Sequence, residues 1–214
     1  MCWNEQVSLN TFLFSSFVLL LIVYNNAYTQ YKINFFNSYG GVLFMSSVIV
    51  MQLVEFFIWR NINNKLYNHI FSTMAAMVLF IQPIASLMLL SNTNLRNKML
   101  FVYSLIFMTY FIYKFATNKM MSRISSKGHL DWLFFDTDIM LLFFGWLFFF
   151  LFSLIYEKQF KALIIGLVFL IISWVNYYED RTIGSMWCWV VNSCMVYFAG
   201  HLLLYLPFRE INAI

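Results

Sequence analysis

Hydrophobic residues fall in long runs separated by short polar segments along the whole chain. The runs lie at residues 11–24, 41–59, 70–90, 99–116, 138–156, 160–177 and 183–208. All but the first approach or exceed the roughly 17 to 25 residues that an α-helix needs to cross a bilayer. The pattern therefore predicts an all-α polytopic membrane protein, a bundle of seven transmembrane helices that forms one domain over residues 1–214.

The first run is the shortest of the seven. It reaches spanning length only if Asn10, Asn25 and Asn26 are drawn into the membrane interface. No basic segment precedes this run and no small-residue cleavage motif follows it, so we expect a retained span rather than a signal peptide.

Composition agrees with a membrane protein. Hydrophobic residues make up 62% of the chain and charged residues only 10%, whereas about a quarter of the residues in soluble domains are charged. The net charge of +4 comes mostly from short loops, which indicates membrane-flanking residues and no nucleic-acid surface. The expected partner is the lipid bilayer, in a membrane and an oligomeric state that the sequence does not specify.

Basic residues do not orient the chain. If the face that holds the N-terminus is called side A, its loops carry seven lysines and arginines and the opposite loops, on side B, carry six. This difference is too small for the positive-inside rule to decide which side is cytoplasmic.

The second span carries the only carboxylate well inside a long hydrophobic run, Glu55. An ionisable group in a span costs roughly 2.5 to 3.5 kcal/mol on insertion scales, so it normally faces a bundle interior or water. Gln52, Glu55 and Trp59 follow one another at i, i+3 and i+7 and therefore share a helix face. Two interpretations stay open: Glu55 reaches the headgroups or pairs with Arg60, or it lines a buried polar cavity.

The third span contains Gln82 and Pro83. The proline removes one backbone hydrogen bond and frees the carbonyl of Leu79, which a neighbouring helix or water must satisfy. The pair is either a packed kink, with Gln82 bonded to backbone, or a break that lines a pathway.

The seventh span combines small and polar residues on one face. Ser185, Trp189 and Asn192 belong to this stripe, which is typical of close helix packing in membranes. Asn192 lies about 14 Å into the span by helical rise, where a primary amide needs partners.

Chain direction brings these residues to one side of the bilayer. Helices two, four and six end on side A, and helices three, five and seven begin there, so a polar cluster that opens on side A is predicted. Asp138 and His129 are secondary candidates at the same level. The further members of this predicted cluster are Trp59, Trp174, Asn176, Ser185 and Trp189.

Metal, cofactor and catalytic motifs are not found in the sequence. The three histidines lie in different segments without an HxxxH pair, and the three cysteines form no CxxC motif. Ser185 and Cys188 could act as nucleophiles, but neither a GxSxG elbow nor a histidine at the same depth accompanies them. We therefore predict no metal, no cofactor and no catalytic residue, and the sequence leans away from an enzyme without deciding the matter.

Three short motifs carry a resemblance. Gln52-x-x-Glu55-x-x-x-Trp59, Gln82-Pro83 and Gly184-Ser-x-Trp-Cys-Trp resemble an uncharacterised group of multi-pass membrane proteins encoded by giant DNA viruses. The resemblance implies a viral membrane protein and brings no known activity.

Three functional hypotheses follow from these patterns. The first is a protein that binds or passes a small solute or ion at a polar cluster around Glu55. The second is a membrane-embedded enzyme that acts on a lipid headgroup, with Glu55 paired to Asp138 or His129. The third is an adaptor whose polar residues only hold helices together.

Overall fold

The computed structural model describes residues 4–117, 120–135 and 140–211. Six helices come first, interrupted by a β-hairpin, and the last hydrophobic run forms several consecutive helical segments. The helices are α1 (Glu5–Tyr28), α2 (Tyr39–Arg60), α3 (Lys65–Leu87), α4 (Thr93–Ala116), α5 (Met140–Tyr156), α6 (Phe160–Tyr177), α7 (Ile183–Asn192), α8 (Cys194–Gly200) and α9 (Leu206–Ile211), with strands β1 (Ser122–Ile124) and β2 (Leu130–Trp132) between α4 and α5.

Within the described residues, six helices are long and apolar enough to cross a bilayer. They are α1, α2, α3, α4, α6 and the continuous stretch Ile183–Phe208. Helix α5 is equally apolar but has 17 residues, at the lower limit for a span. The chain is therefore a multi-pass membrane protein.

Asparagine and serine side chains set the start of four helices. Asn4, Ser38, Asn64 and Asn92 each accept a hydrogen bond from the backbone amide three residues later, which satisfies one of the free amides of the first turn. Helix α1 begins at Glu5 because Asn4 caps it, and its 24 residues include the three asparagines at positions 10, 25 and 26. The first span is therefore longer than the hydrophobic run alone predicts.

Helix α2 is the centre of the bundle. It packs against α1, α3 and α7, and its buried residues lie on nearly all sides of the helix. At its start, a Cβ atom on Gly41 would lie 2.0 Å from the Phe35 carbonyl oxygen. A glycine at this position lets the preceding turn pack directly on the helix.

Pro83 lies inside α3, and its neighbour α5 provides the missing hydrogen bond. The indole Nε1 of Trp146 donates to the carbonyl oxygen of Leu79 at 3.0 Å. The prediction that a neighbouring helix or water satisfies this freed carbonyl is confirmed, and the partner is α5.

The connection between α4 and α5 contains a β-hairpin that the sequence reading missed. Strands β1 and β2 pair antiparallel, with Ser122 opposite Trp132. The side-chain amide of Asn68 on α3 donates to the carbonyl oxygens of Ile62 and Ser122 and accepts from the Ser122 amide and the Ser72 hydroxyl, at 2.8 to 3.0 Å. We call Asn68, Ser72 and Ser122 the hairpin junction.

The hairpin also packs on the start of α7. Ser185 Oγ donates to the Leu130 carbonyl oxygen at 2.7 Å, and a Cβ on Gly184 would lie 3.0 Å from the Trp132 ring. The small residues at the start of α7 therefore allow the hairpin to pack closely against this helix on side A.

The seventh hydrophobic run, predicted as one continuous helix, is divided. Helix α7 ends at Asn192, α8 begins at Cys194, and a π-helical segment covers His201–Tyr205. Ser193 between α7 and α8 keeps helical dihedral angles, φ −63° and ψ −18°, so the chain continues in nearly the same direction.

Candidate functional site

Glu55 lies at the centre of the bundle and is closed off from solvent. Both Glu55 and Gln52 have 0% exposed surface. Gln52 Nε2 donates a hydrogen bond to Glu55 Oε2 at 2.7 Å. Arg60, the cation nearest to Glu55 along the chain, instead forms an exposed pair with Glu5 at 3.4 Å. The structure therefore places Glu55 inside the bundle and not at the headgroups or against Arg60.

Helix α7 brings a second amide to this position. Asn192, 2% exposed, donates through Nδ2 to the Cys188 carbonyl oxygen at 2.8 Å and more weakly to the Val48 carbonyl oxygen of α2 at 3.4 Å. Val48 lies one turn before Gln52 on the same helix face. The two amides that the sequence placed deep in the second and seventh spans therefore lie close together.

Helix α3 completes the group through Gln82. Its Nε2 donates to the Ser47 carbonyl oxygen of α2 at 3.4 Å, and Gln82 and Cys188 line the same small cavity. We call Gln52, Glu55, Gln82, Cys188 and Asn192 the Glu55 cluster. Helices α2, α3 and α7 each contribute to it.

Two oxygen atoms in this cluster lack hydrogen-bond partners among the described residues. They are Gln52 Oε1 and Asn192 Oδ1, both fully buried. A buried acceptor without a donor costs about 1 to 3 kcal/mol, so such atoms mark places where a further donor or a cation would be stabilised. Two other members of the cluster, Gln82 and Cys188, line a cavity of about 10 Å³ together with Val48, which is near the lower limit for one water molecule.

The tryptophans of the predicted cluster lie in several places. Trp59 is partly buried, and its Nε1 has no partner within the described part of the chain. Trp189 donates from Nε1 to Thr11 Oγ1 of α1 at 3.1 Å. Trp174 packs instead against Phe143 and Tyr178, on the α5–α6 side.

Two further polar candidates have roles that the contacts explain. Asn176 is exposed and donates to the Ile172 carbonyl oxygen of its own helix at 2.7 Å. Ser185 holds the hairpin rather than the Glu55 cluster. In the hydrogen bonds described above, neither Asn176 nor Ser185 contacts Gln52 or Asn192.

Of the two secondary candidates, only His129 belongs to the part of the chain that the structure describes. Asp138 lies outside the described residues. His129 lies on the hairpin, edge-on to the Tyr177 ring at 5.3 Å and in the field of Asp180. Burial and nearby positive charges, opposed by Asp180, lower the pKa of the His129 imidazole below its usual value.

Asp180 fastens the hairpin tip to the α6–α7 loop. Ser125 Oγ and Ser126 Oγ donate to its two carboxylate oxygens at 2.6 and 2.9 Å. Burial acts to raise the pKa of this carboxyl, but the two hydroxyl donors and the charges of Lys127 and His129 outweigh burial and hold the pKa below its usual value.

Metal ligands do not gather anywhere in the part of the chain that the structure describes: no group of three His, Cys, Asp or Glu side chains could hold a metal ion there. The Glu55 cluster has one carboxylate, so its donor set suits a single positive charge better than a divalent ion, which normally takes several carboxylates. In comparisons with protein families, with curated proteins and with solved structures, the chain matches none. The chemistry of the site therefore has to be argued from its own residues.

One buried charge was missed by the sequence reading. Lys114 of α4, counted among the loop cations of side A, is 1% exposed. A signal was present, because Tyr103, Phe107, Tyr110 and Lys114 follow one another at i, i+4, i+7 and i+11 and so share a helix face.

Proposed function

We propose that this protein is a seven-span membrane protein that binds, and exchanges across the bilayer, a proton or a small monovalent cation at Glu55. The observation that carries the proposal is the fully buried Glu55–Gln52 pair next to two amide oxygens without partners. The proposal counts α5 as the seventh span, since 17 apolar residues reach the lower limit of spanning length.

Electrostatics supports a positively charged ligand. An ionised carboxylate that is fully removed from water is strongly destabilised unless an opposite charge or several hydrogen-bond donors accompany it. The amide oxygens of Gln52 and Asn192, which have no partner within the described residues, add negative potential to the region of the Glu55 carboxylate. A proton or a monovalent cation on Glu55 removes this conflict, because it neutralises the carboxylate and offers the oxygens a partner.

The size of the site supports a small ligand. The cavity beside Gln82 and Cys188 holds about 10 Å³, which leaves no room for an organic solute. Because Glu55 is fully buried, exchange with either side requires α2, α3 and α7 to move apart by a small amount. Pro83, where α3 lacks one backbone hydrogen bond, and Ser193, where α7 ends, are the places where we expect such a movement.

A flux measurement tests this function. Full-length protein is reconstituted into vesicles that contain a pH-sensitive dye, and proton movement is driven by a pH gradient or by opposing Na⁺ and K⁺ gradients. We expect flux above that of empty vesicles for the wild type and none for Glu55→Gln, which keeps the shape and the hydrogen bond but cannot exchange a proton. Glu157→Gln, a change to a carboxylate near the start of α6, is the matched control. Equal flux in wild type and Glu55→Gln would reject the proposal.

The adaptor hypothesis is the alternative that a specific observation favours. The amides of Gln82 and Asn192 bond to backbone carbonyls of α2 and so link three helices. Under this hypothesis, Glu55→Gln changes the stability of the protein in detergent, and added ions have no effect on that stability. The same variant therefore tests this alternative.

A further inference from the structure

A groove, separate from the Glu55 cluster, lies on the side B half of the protein between the start of α6 and the end of the last hydrophobic run. It has a volume of about 700 Å³, within the roughly 300 to 1,000 Å³ of sites that hold small molecules. Lys161 of α6 lines one side. The last run contributes Gly200, Leu204 and Phe208 together with three stacked rings. The lining therefore combines a cation with a mostly apolar wall.

The groove opens where the last run changes its packing partner. Helix α7 packs on α2 and α6, whereas α8, after the break at Ser193, packs mainly on α1. This leaves space beside α8 on the side of α6. Gly200 at the end of α8 shows the space directly, because no neighbouring group of the described residues lies within 4 Å of a Cβ placed on it. Since Leu204 and Phe208 are exposed on the outer surface, a ligand can reach the groove from the bilayer without movement of a helix.

Three rings of the last run stack along the groove. The His201 ring lies 5.9 Å from the Tyr197 ring and 4.9 Å from the Tyr205 ring, with interplanar angles of 25° and 20°. In a regular α-helix, residues eight positions apart are offset by about 80° around the axis. The π-helical turn over His201–Tyr205 uses more residues per turn and reduces this offset. The three rings therefore lie in one row and form a continuous wall.

The outer end of the groove carries hydrogen-bond donors and one positive charge. Lys161 lies in the first turn of α6, is exposed, and is the charged residue among the described residues that line the groove. Within the described part of the chain its ammonium forms no ion pair and no hydrogen bond, and the Tyr205 hydroxyl forms no hydrogen bond either. Both groups donate hydrogen bonds, so this end of the groove suits an anion.

We propose that this groove binds one phospholipid with a net negative headgroup, taken from the side B leaflet. The headgroup phosphate pairs with Lys161, and one acyl chain lies along the stacked rings. The lining residues from Tyr197 to Phe208 extend over about 16 Å by helical rise, roughly half of the ~30 Å hydrocarbon core, which is the reach of a chain in one leaflet. Charge complementarity selects an anionic headgroup, and the apolar wall selects a lipid over free phosphate.

Lipid titration of the full-length protein tests the proposal. Protein freed of lipid in detergent is titrated with phosphatidylglycerol or with phosphatidylcholine of identical acyl chains, and native mass spectrometry counts the bound lipids. We expect wild type to bind one phosphatidylglycerol with a Kd about fivefold lower than that for phosphatidylcholine, the factor that one lysine contributes toward anionic lipid. An ordinary belt of interfacial aromatic residues shows no such headgroup preference, so equal affinity for the two lipids would overturn the proposal.

Two charge variants locate the headgroup. Lys161→Gln is expected to remove the preference for phosphatidylglycerol. Lys98→Gln is the matched control, because Lys98 is also an exposed lysine near the start of a side B helix, α4, but does not line the groove. This control is expected to keep the preference. An equal loss in both variants would assign the preference to general surface charge and contradict the proposal.

Two glycine variants locate the acyl chain. Gly200→Leu places a side chain in the groove while Lys161 stays in place, so both lipids should bind at least fivefold more weakly. Gly166→Leu on α6 is the control, because its added Cβ is equally free of neighbours and it does not line the groove. If Lys161→Gln does not fold, Gly200→Leu decides, and unchanged binding in that variant refutes the proposal. Glu55→Gln should bind phosphatidylglycerol as wild type does, so this test is independent of ion flux.

Discussion

The hairpin junction and the Glu55 cluster are both buried and both built around side-chain amides, but they differ in how far their hydrogen bonds are satisfied. Asn68 uses its amide group as donor and acceptor in four bonds at 2.8 to 3.0 Å. Gln52 and Asn192 each leave their amide oxygen without a partner within the described residues. A saturated network stabilises one conformation, whereas an unsaturated one keeps capacity for a ligand. The difference separates an amide that serves the fold from amides that are available for function.

The strongest test of this comparison replaces an amide by leucine at each place. In Asn68→Leu the Ser122 backbone and the Ile62 carbonyl lose their partners, so we expect a loss of about 2 to 3 kcal/mol in the free energy of unfolding. In Asn192→Leu the main lost bond goes to a carbonyl of its own helix, and we expect a loss below about 1 kcal/mol. Equilibrium unfolding in detergent, followed by circular dichroism, measures both. Equal losses would show that the number of satisfied hydrogen bonds does not distinguish the hairpin junction from the Glu55 cluster.

A smaller effect is expected where the hairpin sits on α7. Gly184→Ala places a methyl group 3.0 Å from the Trp132 ring and 3.1 Å from Phe135, so the rings must shift, at about 1 kcal/mol. Gly166→Ala is the matched control on α6, because nothing lies within 4 Å of its added Cβ. There alanine should stabilise the helix by up to about 1 kcal/mol. The melting temperatures of the two variants should shift in opposite directions. A shift in the same direction would show that the hairpin does not pack against Gly184.

The smallest expected effect is on the hairpin tip and depends on pH. Because the pKa of Asp180 is lower in the folded protein than its usual value, this carboxylate stabilises the hairpin at neutral pH. The contribution is lost as the pH falls below about 4. Amide-exchange protection factors of residues 122–132 should therefore drop in that range for wild type. Asp180→Asn should have lower protection factors at neutral pH and should not show this drop at low pH. The same drop in this variant would show that another group titrates in this range.

The sequence predicted the membrane class and most of the spans, because hydrophobic runs of spanning length report burial in lipid directly. Helix α6 begins and ends where the run predicted, at Phe160 and Tyr177. The run did not predict the full length of α1, because Asn4 and the polar turn near Glu5 extend the helix beyond its apolar part. Such ends depend on capping, which hydrophobicity does not report.

The candidate site was predictable in part. Helix periodicity put Gln52 and Glu55 on one face, and the direction of the chain brought Asn192 toward them. Trp174 was predicted in the same cluster because the depth of a residue in the bilayer can be inferred from sequence. The rotation of α6 about its own axis cannot be inferred in this way, and this rotation turns Trp174 toward Phe143. The hairpin was missed because strands of three residues give no period that can be recognised.

Lys114 shows the same limit. A lysine two residues from a helix end is usually interfacial, so its position along the chain alone does not predict the burial of Lys114. The regular spacing of Tyr103, Phe107 and Tyr110 marks the face to which it belongs.

The most direct measurement of the central claim is the thermal stability of wild type and Glu55→Gln in detergent over a matrix of pH and Na⁺ concentration, at constant ionic strength set with tetramethylammonium. A ligand that binds only the folded state stabilises it by about 2.7 kcal/mol when present at 100 times its Kd. We predict that the melting temperature of wild type rises with Na⁺ or with proton concentration and that this rise is absent in Glu55→Gln. An identical response in the two proteins would show that Glu55 binds neither ion.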